Sequence, residues 1–354
     1  MTEPNGMPEP DAELLSQLND ALRDVATDTP ANLALRSTIR TGIVRDDPTL
    51  VDLYERIVGP EQAEVDFHLD GAGVEGHATN AKLFSKFVSG ISEAVKETAK
   101  AKAGKGRYTE GLLIDGGPGP GSVRVVLRAP EPPATAKNEP PLDPSLPNST
   151  VESEALRSVA AILSHASSEE EDSPMLAELT ALPMGARRGL KRVANSARDA
   201  GWEIKGSIRQ RNYGATNVEL TADGAFRLKL GLDAQIDRRA DETVTGTIDG
   251  FRRSLSTLYF QPAGGGRIIQ AAVSDGALAD SISELFADKN SVVEVVFDVI
   301  ESFLPGDDSR IRKSRSVRQV RRLALGRQME LSDDDESSAP SDPPSLPEDH
   351  TRMA

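Results

Sequence analysis

Seven prolines fall within the twenty residues 129–148, APEPPATAKNEPPLDPSLPN. Proline fixes φ and lacks the amide donor that helices and inner strands need, so regular structure does not continue through such a run. The sequence therefore predicts an extended linker there, with separately folding regions on either side. On this reading the 354 residues divide at composition changes. Residues 1–11 form a polar, disordered start and 12–128 a helical and α+β domain. The linker 129–148 leads to an α+β middle region over 149–237. A small barrel with a basic final segment covers 238–328, and an acidic, Ser/Pro-rich tail over 329–354 is disordered.

Periodicity supplies the elements. Leu14, Leu18, Leu22 and Val25 recur at helical spacing, and DDPTLVDLYERIV opens a second helix with Asp47 as N-cap and Pro48 at the first helical position. Val65, Phe67 and Leu69 alternate with polar residues and run into Gly71 and Gly73, the pattern of a half-buried strand. Asn80 then caps the clearest helix in the chain, with Leu83, Phe84, Phe87, Val88, Ile91 and Val95 on one face. Two further strands, RYTEGLLID and SVRVVLRAP, surround GGPGPG. The order strand, helix, strand, strand predicts an α+β layer in which one long helix covers a small sheet.

Beyond the middle region, Val244, Gly246 and Ile248 read as one strand, Leu258, Tyr259 and Phe260 as a second and RIIQAAV as a third. A helix follows with Leu278, Ile282, Leu285 and Phe286 at i, i+4, i+7 and i+8, then SVVEVVFDVI and SRIRKSRSVRQVR as two more strands. Phe286 and Phe297 are expected in the core. Three strands, a helix and two strands is the order of an OB-type barrel, which the segment resembles. The chain as a whole resembles uncharacterised bacterial proteins that join an α+β N-terminal half to such a barrel. That resemblance implies an antitoxin-like or defence-associated regulatory role.

Chemistry is constrained mostly by what the chain lacks. It has no cysteine, which removes disulfides, thiolate nucleophiles and Cys-based metal sites. GGPGPGS (116–122) is no phosphate cradle: its prolines delete backbone donors, and neither a Lys-Ser/Thr pair nor a helix follows. His68 and His77 match no zinc spacing, while Asp66, His68 and Asp70 share what reads as the solvent face of a strand. His165 is isolated in sequence, and no G-x-S-x-G elbow is present. The expectation is a protein without catalytic, metal or cofactor residues. No signal-peptide pattern or membrane-length apolar run occurs, so a cytoplasmic location without a membrane partner is expected.

Charge gives the one sharp feature. The chain carries a formal −15, yet 307–328 holds eight basic residues against two acidic ones. The candidates for binding are Arg310, Arg312, Lys313, Arg315, Arg318, Arg321 and Arg322, with Arg327 completing the run and Tyr259 as a stacking platform on the barrel. Such a patch suits an acidic protein surface or a phosphate backbone; a charged edge strand is the plainer account. With aromatics at only 4%, the preferred function is that of a non-enzymatic adaptor acting on a protein partner. The alternative is a single-stranded nucleic-acid-binding protein using the barrel and 310–327.

Overall fold

Gln62 is a fully buried polar residue, and it organises the region that the proline run enters and leaves. Its Oε1 accepts hydrogen bonds from the Thr150 amide and hydroxyl, both at 3.1 Å, and from Ser153 Oγ at 2.8 Å. The Ala129 amide donates to the Ala63 carbonyl, and the Ala63 amide to Ser153 Oγ. Residues on both sides of the proline-rich segment are thus fastened at one place. The computed structural model describes residues 12–104, 111–115, 123–132, 149–168, 173–233, 236–288, 291–304 and 307–323. Residues up to 323 form one compact unit, and 324–354 lie outside the described residues. The expectations placed on 1–11, on the glycine-proline loop 116–122 and on the acidic tail also lie outside them.

The chain opens with helices α1 (Ala12–Asp24) and α2 (Pro30–Ile39), a π-helical turn (Arg40–Val44) and α3 (Pro48–Val58). Asp47 caps α3 through its Oδ1, with Pro48 at the start, as its sequence predicts. Leu18, Leu22, Val44, Leu50 and Val58 give these helices their own small core. Next come β1 (Glu64–Gly71), the ribbon β2 (Val74–Glu75) and β3 (Ala78–Thr79), helix α4 (Ala81–Ala103), then β4 (Leu113–Asp115) and β5 (Val123–Arg128). After the proline run lie α5 (Val151–Ser167), α6 (Met175–Ala181), α7 (Met184–Ala200), β6 (Trp202–Gln210), β7 (Gly214–Leu220) and α8 (Ala222–Asp233). The FRLKLGL segment lies within α8.

These two stretches share one antiparallel sheet, ordered β4-β5-β1-β6-β7. β1 is its middle strand, paired with β5 on one side and, from Glu64↔Arg209 to Gly71↔Trp202, with β6 on the other. This corrects the boundary drawn at 129–148: the proline run does not separate two cores. Val65, Phe67, Leu69, Val125, Ile204, Ile208 and Val218 all turn to the same buried face, under α4, α5, α7 and α8. Phe87 of α4 sits edge-on between Phe67 and Trp202, at centroid distances of 5.7 and 6.0 Å. α4 and α7 cross where Gly90 meets Gly189. A Cβ on Gly189 would stand 2.7 Å from the Gly90 carbonyl oxygen, so the crossing needs glycine.

The C-terminal elements are β8 (Ile236–Arg252), a 3-10 turn (Arg253–Leu255), β9 (Thr257–Pro262), β10 (Ile269–Ala272), α9 (Gly276–Ala287), β11 (Val293–Leu304) and β12 (Asp307–Arg322). The five strands close into a barrel in the order β10-β12-β11-β8-β9. Leu258, Phe260, Val293, Val295 and Phe297 fill it, with Ile282 of α9 as an end plug. Phe286, expected in this core, is instead 40% exposed. Leu285, its neighbour, takes the inward position against the core.

The barrel is joined to the helical layer by buried hydrogen bonds. The Ala177 amide at the start of α6 donates to Ser314 Oγ of β12, and that hydroxyl donates to the Ser173 carbonyl. Thr216 and Ser254 bond hydroxyl to hydroxyl between β7 and the 3-10 turn. Among the described residues no helix is long and apolar enough to cross a membrane.

Candidate functional site

The second face of the sheet carries charge where the first carries Val, Phe, Leu and Ile. Asp66, Arg124, Ser207 and Arg209 point this way because they alternate with the buried positions. Asp66 takes a two-pronged grip from Arg124, at 2.9 and 2.6 Å, and has His68 Nε2 at 3.4 Å. Among the described residues there is no group of three or more His, Asp or Glu that could hold a metal ion.

This polar face, α3 and the barrel's near end enclose a cleft of about 940 Å³. Each wall contributes arginine: Arg40 and Arg56 from the helical side, Arg124 and Arg209 from the sheet, Arg252 from the end of β8 and Arg253 from the 3-10 turn that follows. Three carboxylates, Asp52, Glu55 and Asp66, stand among them. Asp52 holds Arg56, while Arg209 bridges Glu64 at 2.6 Å and Glu55 at 3.4 Å. Burial pushes the Glu55 carboxyl above its ordinary range, against the opposing pull of Arg209. Arg40 and Arg252 have no carboxylate within 4 Å among the described residues. Arg40 donates to the Arg45 carbonyl, and Arg252 lies over the Tyr259 ring at 5.3 Å.

Tyr213 stands at the back of the cleft because the β6–β7 turn is tightly specified. Asn212 and Gly214 adopt left-handed φ of 67° and 80°. The Asn212 amide donates to the Arg56 carbonyl, which fixes the turn on the end of α3. A Cβ on Gly214 would collide with Asp52 Oδ1 at 1.9 Å. Two guanidinium groups approach the Tyr213 ring, Arg157 at 3.7 Å and Arg253 at 5.3 Å from its centroid. Phe251 and the exposed Phe286 complete the apolar part of the cleft wall.

The basic residues singled out in sequence lie elsewhere, along β12, and the fold brings acids beside them. Lys313 pairs with Glu301, Arg321 with Glu294, Arg318 with Asp241 and Asp298, and Arg322 with Asp288. Arg315 is buried and donates through Nε to Glu242 at 2.8 Å. Arg310 and Arg312 belong to β12, but their side chains, like Arg327, lie outside the described residues. Tyr259 is half-buried on β9.

His165, isolated in sequence, is connected at both ring nitrogens, with Nδ1 2.8 Å from Glu178 Oε2 and Nε2 3.0 Å from Thr257 Oγ1. A carboxylate, an imidazole and a hydroxyl in line invite comparison with nucleophilic triads. Thr257, however, is fully buried and its hydroxyl also lies 3.1 Å from the Leu255 carbonyl as a donor to it. A hydroxyl closed off from substrate and committed to backbone makes a link between helix and barrel.

Comparison with known proteins adds no name to this geometry. No family model, curated protein or solved structure matches the chain. The site therefore rests on its own arrangement of residues. The sequence signal that could have found it is thin: the Arg252–Arg253 doublet after a strand and the RQRNYG turn are its local traces.

Proposed function

We propose that this chain is a non-catalytic binding protein that receives a single-stranded nucleic acid in the cleft between its sheet and an OB-like barrel. The observation that carries the reading is the cleft's charge, six arginines against three carboxylates in a chain of formal charge −15. A phosphate backbone is the polyanion such a surface favours, and its bases need flat partners. Phe286 and the guanidinium plane of Arg252, which lies over the Tyr259 ring, supply those at the barrel end. The OB-like assignment draws support from strand order. β8, β9, β10, β12 and β11 close in that sequence, with β10 and β12 parallel and the other described pairs antiparallel.

Fluorescence anisotropy with a labelled oligo-dT or oligo-rA at about 50 mM salt tests this, with log K expected to fall by roughly 0.7 per phosphate neutralised. Arg40→Ala and Arg252→Ala should each weaken binding and flatten the slope, whereas Arg321→Ala on β12 should change neither. Absence of binding at that salt, or equal losses from Arg252→Ala and Arg321→Ala, would overturn the cleft as the site.

A second reading, a protein-docking adaptor, has its own support. Leu33 and Leu35 of α2 and Ile43 of the π turn are each about half exposed. Leu33→Asp with Leu35→Asp should abolish capture of a protein from the native host while leaving oligonucleotide binding intact. Unchanged capture would remove this reading.

A further inference from the structure

Behind Tyr213 and Arg253, which line both spaces, lies a separate pocket of about 380 Å³. It is bounded by α4, α5, the end of α6, β10 and the start of α9, and its volume falls within the ordinary range for small-molecule sites. Ala161, Ile162, Leu182, Leu255 and Val273 give it an apolar lining.

The charges around it can be accounted for one at a time. Lys102 pairs with Glu154 at 3.3 Å, and Arg253 with Asp280. Glu178 is held by His165, and Asp275 caps α9 by accepting from the Ala277 and Leu278 amides. Of the cations lining the pocket, Arg157 alone makes no close ion pair among the described residues; Tyr213 and, at longer range, Glu154 offset part of its burial. It is 6% exposed, its Nη1 donates to Gln210 Oε1 and Ser149 Oγ, and no carboxylate lies within 4 Å of it among the described residues. A guanidinium taken out of water without a counter-ion is costly, and desolvation holds its pKa below the ordinary arginine value. A buried charge of this kind on the wall of a pocket is a candidate for ligand recognition.

The geometry points to this pocket as a binding site for a small organic monocarboxylate, its carboxylate on Arg157 and its apolar body against Ala161, Ile162 and Leu182. One negative charge is the number the pocket accommodates. Glu154, Glu178, Asp275 and Asp280 line it as well, so a dianion such as phosphate would meet like charge at close range. Guanidinium and carboxylate match as two parallel donor–acceptor pairs, and the stack on Tyr213 holds the guanidinium plane ready. The pocket shares Tyr213 and Arg253 with the arginine-lined cleft, but the assignment does not rest on the nucleic-acid reading.

Isothermal calorimetry on the full chain, with benzoate and hexanoate against benzamide, hexanamide and inorganic phosphate, tests the assignment. The two carboxylates should bind at least tenfold more tightly than their amides, and phosphate should not compete. Arg157→Gln should abolish the preference for carboxylate over amide. Because Arg157 is buried, a second variant guards against misfolding. Ser158→Leu places a larger side chain at the pocket wall on the same helix, where leucine has the better helix propensity. It should retain the thermal transition and lose benzoate and hexanoate binding. No heat from either carboxylate at ~10 mM, beyond which Kd corresponds to under 3 kcal/mol, would overturn the proposal. So would equal binding of acid and amide, or undiminished binding by a folded Ser158→Leu.

Discussion

Splitting the chain within the proline run, between residues 138 and 139, should give two fragments that need each other. Leu190, Val193, Trp202, Ile204 and Ile208 from the second segment close over Val65, Phe67, Phe87 and Ile91 from the first. At about 1.5–3 kcal/mol for each large apolar side chain, re-exposing half of this contact costs roughly 7–14 kcal/mol. That is of the size of the 4–15 kcal/mol lost when two chains associate. The eight registered residue pairs between β1 and β6, and the backbone hydrogen bonds they carry, add to the favourable side. Residues 1–138 with an affinity tag, coexpressed with 139–354, should therefore elute together as a one-to-one complex in size exclusion. Expressed alone, 1–138 should show no cooperative urea transition, since β1 would have one neighbour and α4 no α7. A soluble 1–138 that unfolds sigmoidally and ignores its counterpart would refute the shared sheet.

Phe87→Ala should cost about 3–5 kcal/mol in urea denaturation, because the ring is fully buried between Phe67 and Trp202. On β12 two arginines should separate: Arg315→Ala, which empties a buried site and loses the packing of its stem while Glu242 stays in contact with water, should cost more than the exposed Arg318→Ala, expected under about 1 kcal/mol. Glu55 gives a pH signature. Its carboxyl is raised by burial, so its contribution to stability is complete below the unfolded pKa and declines as pH rises through the folded one. Glu55→Gln should therefore become more favourable relative to wild type between about pH 4 and pH 7, and urea midpoints at the two ends would show it. A constant difference would contradict the shift.

What could be read from the residues was what depends on near neighbours. The Asn80 cap accepts from the Lys82 and Leu83 amides, and the stripe through Phe87, Ile91 and Val95 is buried as its spacing predicts. Val65, Phe67 and Leu69 point inward for the same local reason. The succession of three strands, a helix and two strands along the barrel segment also followed from turns and alternation. What escaped was pairing at a distance. Proline chemistry says where a helix or inner strand stops, and it is silent on whether the chain returns to the same sheet. The surroundings of the basic run depend on distance in the same manner. Its neighbours in sequence are basic, but in space Arg321 meets Glu294 and Lys313 meets Glu301 from β11. The cleft was least legible, since Arg40, Arg124, Arg209 and Arg252 come from four distant segments that only the sheet and barrel bring together.

The position of β1 in the middle of its sheet has a consequence for how the protein is made. Gly71 leaves the ribosome roughly 130 residues before its partner Trp202, an interval of about 7–26 s at synthesis rates of about 5–20 residues per second. For that time one edge of β1 has nothing to pair with, and Phe87 lacks the indole that later packs against it. Unpaired edges recruit other strands, and charge along an edge discourages this. Glu64, Asp66 and Asp70, spaced by alternation along one side of β1, give the nascent strand that protection before Arg124 and Arg209 arrive to neutralise two of the three.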